Sequence, residues 1–308
     1  MKEFDLLSIG ELNVDLILSG LQNMPVVGKE IIADDCSIVL GSSTAICSCG
    51  AAKLGLKTGF IGKLGNDSFS EIILKSLAGY GINLEHIIVD EGIKTGITVS
   101  LSTKKDRALV TYLGSIDTLS IDDFDLELIN KAKHIHVGSY FLQSKLRKGL
   151  PKLFSYARER GITTSLDSGW DETENWDYGI FEVLKQTDIF FPNEVEALNI
   201  TKANSVEEAI DILSKYCGTA VVKLGPKGAV AKRGDSIVSR RPYDVVPVDT
   251  TGAGDSFNAG FIFGFINRFD LSDCINYGNA CGSISVTNKG GASACASIDQ
   301  VVAMINRG

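Results

Sequence analysis

The chain lacks the marks of several large functional classes. No run of lysine and arginine forms a stripe, and 38 acidic side chains outnumber 30 basic ones for a formal net charge of −8. A nucleic-acid partner is therefore not expected. No stretch approaches the roughly 18 consecutive apolar residues of a membrane span. The start, Met1-Lys2-Glu3-Phe4-Asp5, carries acids where a signal peptide carries bases, so the expectation is a cytoplasmic protein without a membrane partner. The three histidines, His86, His134 and His136, lie in apolar strand-like segments and read as core or surface positions rather than ligands. The seven cysteines, Cys36, Cys47, Cys49, Cys217, Cys274, Cys281 and Cys295, include no Cys-x-x-Cys pair. Their odd number fits reduced thiols, and Cys47-x-Cys49, with no histidine nearby, does not complete a zinc site. No Gly-x-x-x-x-Gly-Lys-Ser/Thr loop occurs, and Gly252-Ala253-Gly254-Asp255-Ser256-Phe257 lacks the third glycine of a dinucleotide fingerprint. There is no internal repeat, low-complexity tract or linker, and only six prolines are scattered through the 308 residues.

What is present is an alternation of short apolar strands and longer amphipathic segments. Leu6 to Gly10, Thr58 to Ile61, Ile135 to Gly138, Thr163 to Asp167, Ile189 to Phe191 and Ala220 to Leu224 read as buried strands. Phe69 to Leu77, Leu146 to Arg160 and Val206 to Tyr216 carry helical apolar spacing. The pattern predicts an α/β fold with a mainly parallel sheet sandwiched by helices, and ligands at the carboxyl ends of the strands. Two segments break the rhythm. Ile31 to Leu40 looks like a strand, and Ile97, Val99 and Leu101 alternate with polar residues before the turn Lys104-Lys105-Asp106 and the extended run Ala108 to Tyr112, the grammar of a half-buried hairpin.

The most informative run is Asp249-Thr250-Thr251-Gly252-Ala253-Gly254-Asp255 followed by the apolar stretch from Phe257 to Ile266. Gly252, Ala253 and Gly254 let the backbone approach a ligand, and a helix start there offers unpaired N–H groups and a positive dipole end. That is an anion hole suited to a transferring phosphate, and Asp255 beside it suits a base that takes a proton from a hydroxyl. The dipole should also lower the Asp255 pKa and make it a weak base. Asn13 and Asp15, two apart on a strand, face one side and can both reach the hydroxyls of one ligand. Lys223, Gly225 and Gly228 follow a buried strand, so that loop can lie against nucleotide phosphate, with Lys223 as a point charge.

The signature resembles that of the ribokinase-like (PfkB-type) carbohydrate kinases. Companions stand in the family's order: Asn13-x-Asp15, a small-residue stretch from Gly41 closing at Leu54-Gly55, Gly62-x-x-Gly65-x-Asp67, Asn193-x-x-Glu196, Lys223-x-Gly225-x-x-Gly228 and Thr287-x-x-Gly290. The resemblance implies an ATP-dependent sugar kinase whose core is 1–11, 41–94 and 115–308, with a small β lid from 12–40 and 95–114 over the sugar. It implies that Gly41 and Ser42 lie at the sugar, that Asn193 and Glu196 organise Mg2+ near the phosphates, and that Asn279 contacts adenine. It further implies a monovalent cation such as K+ held by Asp249, Thr251 and carbonyls near Ser285, Asn288, Gly290 and Ala294, and a homodimer formed through the lid.

The chain departs from the pattern at the acceptor side. The first signature usually begins Gly-Gly with an asparagine five residues on, whereas Ser42 and Ile46 stand in Gly41-Ser42-Ser43-Thr44-Ala45-Ile46-Cys47. Asp171 stands where many relatives carry arginine, and no lysine lies in Gly41 to Ala45, so the partners that a carboxylate or phosphate on the acceptor would want are missing. The expectation is a neutral furanose-type sugar, fructose or ribose first, phosphorylated at a primary hydroxyl. The alternatives are a nucleoside kinase, a kinase of 2-keto-3-deoxygluconate or a phosphosugar that uses Lys29 or Arg107, and a sugar-binding protein without catalysis.

Overall fold

The computed structural model describes residues 2–103 and 107–307; the expected turn at Lys104-Lys105-Asp106 lies outside them. In chain order the strands are β1 (Phe4–Ile9), β2 (Asn13–Leu21), β3 (Asp35–Leu40), β4 (Thr58–Gly65), β5 (Asn83–Asp90), β6 (Gly96–Thr103), β7 (Arg107–Tyr112), β8 (Ala132–Val137), β9 (Thr163–Leu166), β10 (Ile189–Phe190), β11 (Thr219–Lys223), β12 (Ala229–Arg233) and β13 (Ser236–Arg240). The helices are α1 (Ser43–Lys53), α2 (Ser68–Gly79), α3 (Ser144–Glu159), α4 (Ile180–Leu184), α5 (Glu194–Thr201), α6 (Val206–Leu213), α7 (Ala253–Ile266), α8 (Leu271–Ser285) and α9 (Ile298–Ile305).

Nine strands form one sheet in the order β13-β12-β11-β10-β9-β8-β1-β4-β5, and β3-β2-β6-β7 form a second. Pairing is parallel from β5 to β11, while β12 and β13 close that edge as an antiparallel pair. Strand parity decides which face each side chain covers. Leu7, Ile9, Ile135, Val137 and Val222 pack with Leu146, Leu150, Phe154 and Ile210 on one face. Leu6, Ile189, Phe191 and Val221 pack with Phe257, Phe261 and Ile275 on the other. Strands buried on both sides therefore read as continuous apolar runs.

Helix α7 is apolar nearly all round because the sheet, α1 and α8 enclose it. Its approach to α8 needs Gly260, where a Cβ would lie 2.4 Å from the Tyr277 carbonyl oxygen. Asp67 ties the two sheets together. It caps α2 through the amides of Phe69 and Ser70, and its second oxygen accepts the amide of Thr95, just before β6. All seven cysteines are free thiols. Among the described residues no helix is long and apolar enough to cross a membrane, and no group of three or more His, Cys, Asp and Glu could hold a metal ion.

Candidate active site

Helix α7 starts where the sequence places it. Gly252 caps it at φ 72°, and a Cβ there would lie 2.8 Å from Gly291 Cα, so conformation and space both demand glycine. The Ala253 amide reaches the Thr250 carbonyl at 3.3 Å. Among the described residues, the amides of Gly254 and Asp255 have no hydrogen-bond partner and lie at the positive end of the 14-residue helix.

Asp255, in the first turn, accepts a hydrogen bond on Oδ1 from the Ser43 hydroxyl at 2.5 Å. The expected dipole depression of its pKa is overturned: burial, with the charge of Asp167, pushes it up to about 7 against the opposing Ser43 hydrogen bond and Lys223 charge. Desolvation of a carboxylate outweighs one helix terminus here, and the result is a stronger base than the sequence suggested.

Lys223 is turned toward the centre of the site. Its Nζ donates to Asp167 Oδ2 at 2.6 Å and lies 3.4 Å from Asn258 Oδ1. It also lies 3.4 Å from where a Cβ on Gly254 would be, beside the open amides. The Asn258 amide donates to the same Asp167 oxygen at 2.8 Å. Burial would raise the Asp167 pKa, but the Lys223 charge and these hydrogen bonds hold it below the usual carboxylate range. Burial likewise opposes the Lys223 charge, and Asp167 and Glu196 outweigh it, raising the Lys223 pKa.

Asn193 and Glu196 form a capping box at the start of α5. Glu196 accepts from the Asn193 amide (2.9 Å), the Asn193 side chain (2.7 Å) and the Ser168 hydroxyl (2.8 Å). Burial, then Asp167, raises its pKa to about 7. A carboxylate and an amide beside Asp167 form an oxygen-rich set of the kind that holds Mg2+ through its waters.

On the acceptor side, Asn13 Nδ2 donates to Asp15 Oδ1 at 2.9 Å. Both crowd Gly41, where a Cβ would lie 2.2 Å from Asp15 Oδ1 and 2.5 Å from Asn13 Nδ2. Burial lifts the Asp15 pKa to about 6, opposed by Asn13 and by the Arg107 charge. Arg107, at the start of β7, reaches across to donate to Thr251 Oγ1 at 2.8 Å, and its charge also helps hold Asp249 below the usual range against burial. Ser42 caps α1 at φ 69° and accepts the Ala45 amide, while its hydroxyl donates to the Glu11 carbonyl at 2.7 Å. Ile46 is buried against the backbones of Gly252 and Gly291. It underlies the loop before α7 and contributes an apolar contact there. Asp171 turns into its own loop, accepting from Thr173 and from the Trp176 amide at 2.7 Å.

In the loop after β11, expected to meet nucleotide phosphate, Gly225 has φ 56° and Gly228 φ 92°, and a Cβ on Gly228 would lie 2.0 Å from the Arg240 carbonyl oxygen. The Asn279 amide donates to the carbonyls of Arg240 and Arg241 at 3.2 and 3.1 Å, which fixes the chain after β13. Asp249 accepts the amides of Thr251 and Gly290, both at 2.9 Å, joining the two loops named for a monovalent cation. The Ser285 carbonyl accepts the Asn288 amide at 3.3 Å, and Ala294 is buried in a 3₁₀ turn.

The sequence reading missed Glu11, Ser43 and Asn258, and placed Asp167 only in a strand. Glu11 was the most findable, as a carboxylate immediately after a buried strand, at the end of the sheet where ligands gather.

Residues 4–298 match the pfkB family carbohydrate kinases, and the chain belongs to that family. An uncharacterized sugar kinase of Archaeoglobus fulgidus is 33% identical over 75% of this chain and 91% of its own. A 5-dehydro-2-deoxygluconokinase of Geobacillus thermodenitrificans is 26% identical over 97% of this chain and 92% of its own. Among solved structures, an E. coli protein provisionally called ribokinase II, in complex with ATP and Mg2+, is 25% identical with a TM-score of 0.87 over the whole of both chains. The fold is ribokinase-like, the four-stranded sheet is its lid, and the protein is an ATP-dependent carbohydrate kinase.

Proposed function

We propose that this kinase phosphorylates a primary hydroxyl of a neutral furanose-type sugar, with fructose and ribose the leading candidates. The acceptor is held by Asn13 and Asp15 and deprotonated by Asp255. The observation that carries the reading is the short path between them. Gly41 packs on Asn13 and Asp15, and Ser43 bonds Asp255, so the two groups are joined through two residues of chain that span at most about 7 Å. A sugar bridging that gap has one hydroxyl at Asp255 and others at Asp15. As the acceptor oxygen attacks the γ-phosphorus, its proton passes to Asp255, and the electrons of the breaking bond leave on ADP. The amides of Gly254 and Asp255, with Lys223 alongside, stabilise charge on the transferring group. Mg2+, when bound near Asn193 and Glu196, would neutralise phosphate charge. K+ at Asp249 and Thr251 would act beside the anion hole.

Charge at the acceptor end supports a neutral substrate. Among the described residues the cation whose charge acts there is Arg107, and it is shared between Asp15 and Asp249. A second reading, a sugar acid, is favoured by the same Arg107 and by the 5-dehydro-2-deoxygluconokinase relative. Exposed Ile38, Leu109, Val110 and Tyr112 on the lid sheet are apolar surface that a second copy would cover in a homodimer. The direct test is Asp255→Asn, which keeps the shape of the site and removes the base. We expect kcat to fall by roughly 10² to 10⁴ with the dissociation constant for ATP little changed. Retention of half the wild-type turnover would remove Asp255 from the role of base.

A further inference from the structure

Ser43 serves above only to measure the distance between the acceptor groups and Asp255 and takes no role in the chemistry, yet it makes the one side-chain hydrogen bond to Asp255 among the described residues. We propose that Ser43 is a positioning residue for phosphoryl transfer: its hydroxyl holds Oδ1 of Asp255 so that Oδ2 faces the acceptor, and buried Glu11 in turn holds Ser43 in place. This rests on Asp255 being the base.

The geometry runs as a chain of contacts from β1 to α7. Glu11, at the carboxyl end of β1, accepts the Thr44 amide at 3.1 Å and the Thr44 hydroxyl at 2.5 Å, and lies 3.2 Å from the Ser42 hydroxyl. It also accepts the Ser139 hydroxyl at 3.0 Å and the Gln143 amide at 3.3 Å from the loop after β8. The residues on both sides of Ser43 are thus gripped by one buried carboxylate. The backbone is cut away to admit this clasp: a Cβ on Gly138 would lie 2.6 Å from Thr44 Oγ1, and one on Gly10 2.9 Å from it.

Ser43, only partly buried at the first position of α1, is therefore fixed by a network whose side-chain hydrogen bond to Asp255, among the described residues, is its own. A buried carboxylate is costly to desolvate unless donors satisfy its oxygens, and these donors do so. A clasp of that kind around a half-buried serine is more than helix α1 needs, since Ser42 already caps it. With one carboxylate oxygen occupied, the side chain cannot rotate away from the acceptor, and catalysis is sensitive to errors of this size. The other groups facing Asp255 are Asp167, Lys223 and Glu11, with the thiols of Cys47 and Cys295 behind it.

The experiment compares Ser43→Ala, Ser43→Thr and the double variant Ser43→Ala/Asp255→Asn with the wild type and Asp255→Asn, all shown to be folded by their melting temperatures. Ser43→Ala should lower kcat about tenfold without changing KM for ATP. It should also move the acidic limb of the kcat/KM profile to higher pH, because a hydrogen bond to the charged form is lost. Threonine, which keeps the hydroxyl, should restore both. In the Asp255→Asn background the alanine substitution should add less than about twofold, because Ser43 then has no base to position. An unshifted pH limb with unchanged kcat, or an equal loss in the presence and absence of Asp255, overturns the proposal. High activity in Asp255→Asn alone overturns instead the assignment of the base.

Discussion

The two ends of the proposed site are built from different materials. At the phosphoryl end the groups sit on enclosed elements: α7 is wedged among the sheet, α1 and α8, Lys223 ends the interior strand β11, and Glu196 is locked into the cap of α5. At the acceptor end Asn13, Asp15 and Arg107 sit on a four-stranded lid whose strands are mostly half-buried or exposed. The first end is over-determined by packing, which suits chemistry whose geometry must not vary. The second lies on a small sheet whose edge strands β3 and β7 are largely exposed, and such surfaces can differ between relatives without disturbing the fold. The departures at Ser42, Ile46 and Asp171 lie outside that sheet, at the start of α1 and in the loop after β9, and each is accommodated where it stands. Ser42 and Asp171 are satisfied by local hydrogen bonds, and Ile46 packs under the loop before α7.

The sharpest way to break the comparison is to damage only the acceptor end. Gly41→Ala puts a methyl group into Asp15 and Asn13 and should lower kcat/KM for the sugar by roughly 10². Asp15→Ala, which removes a charged hydrogen-bond acceptor, should raise KM for the sugar by about 10- to 100-fold. Steady-state kinetics should show KM for ATP unchanged in both. A matching loss of ATP affinity would mean that the two ends are not separable.

A smaller effect is expected from Glu196→Gln, which keeps the helix cap and removes the charge. The Mg2+ concentration required for half-maximal activity should rise by about tenfold. Superimposable Mg2+ titrations would leave Glu196 as a cap alone.

The smallest is a stability effect. The folded Asp255 carboxyl titrates near 7, above its usual value. Its contribution to stability is therefore complete below the ordinary carboxylate range and is lost as pH rises through about 7. Asp255→Asn should raise the melting temperature at pH 8 and gain little at pH 4. A gain that does not vary with pH would place the destabilisation elsewhere than in that charge.

Local features were the legible ones. The start of α7 was readable because Gly252, Ala253, Gly254 and Asp255 are adjacent in sequence and the apolar run after them marks the helix. The buried strands were readable because both faces are covered. The edge pair β12 and β13 was not, since the polar Ser236–Arg240 carries little apolar signal. Helix α1 was equally hidden: buried from Thr44 to Ala51 among small side chains, it has no polar face to set a period. The missed site residues share a cause. Glu11 meets Ser139, Ser43 meets Asp255 and Asn258 meets Asp167 across 128, 212 and 91 positions, and no spacing in the sequence records such a meeting. The raised Asp255 pKa was missed for the same reason, because the groups that enclose it come from distant strands.

The central claim is that a fixed phosphoryl end serves an acceptor end matched to a neutral sugar. The measurement that tests it most directly is kcat/KM of the wild-type protein for ATP-dependent phosphorylation of fructose, ribose, 2-keto-3-deoxygluconate and fructose 6-phosphate, measured side by side. The account predicts that a neutral sugar is turned over most efficiently and that the two anions are poor substrates, because Asp15 repels a second negative charge in a desolvated site. Efficient turnover of either anion with the neutral sugars inert would contradict it and assign Arg107 to binding the anion.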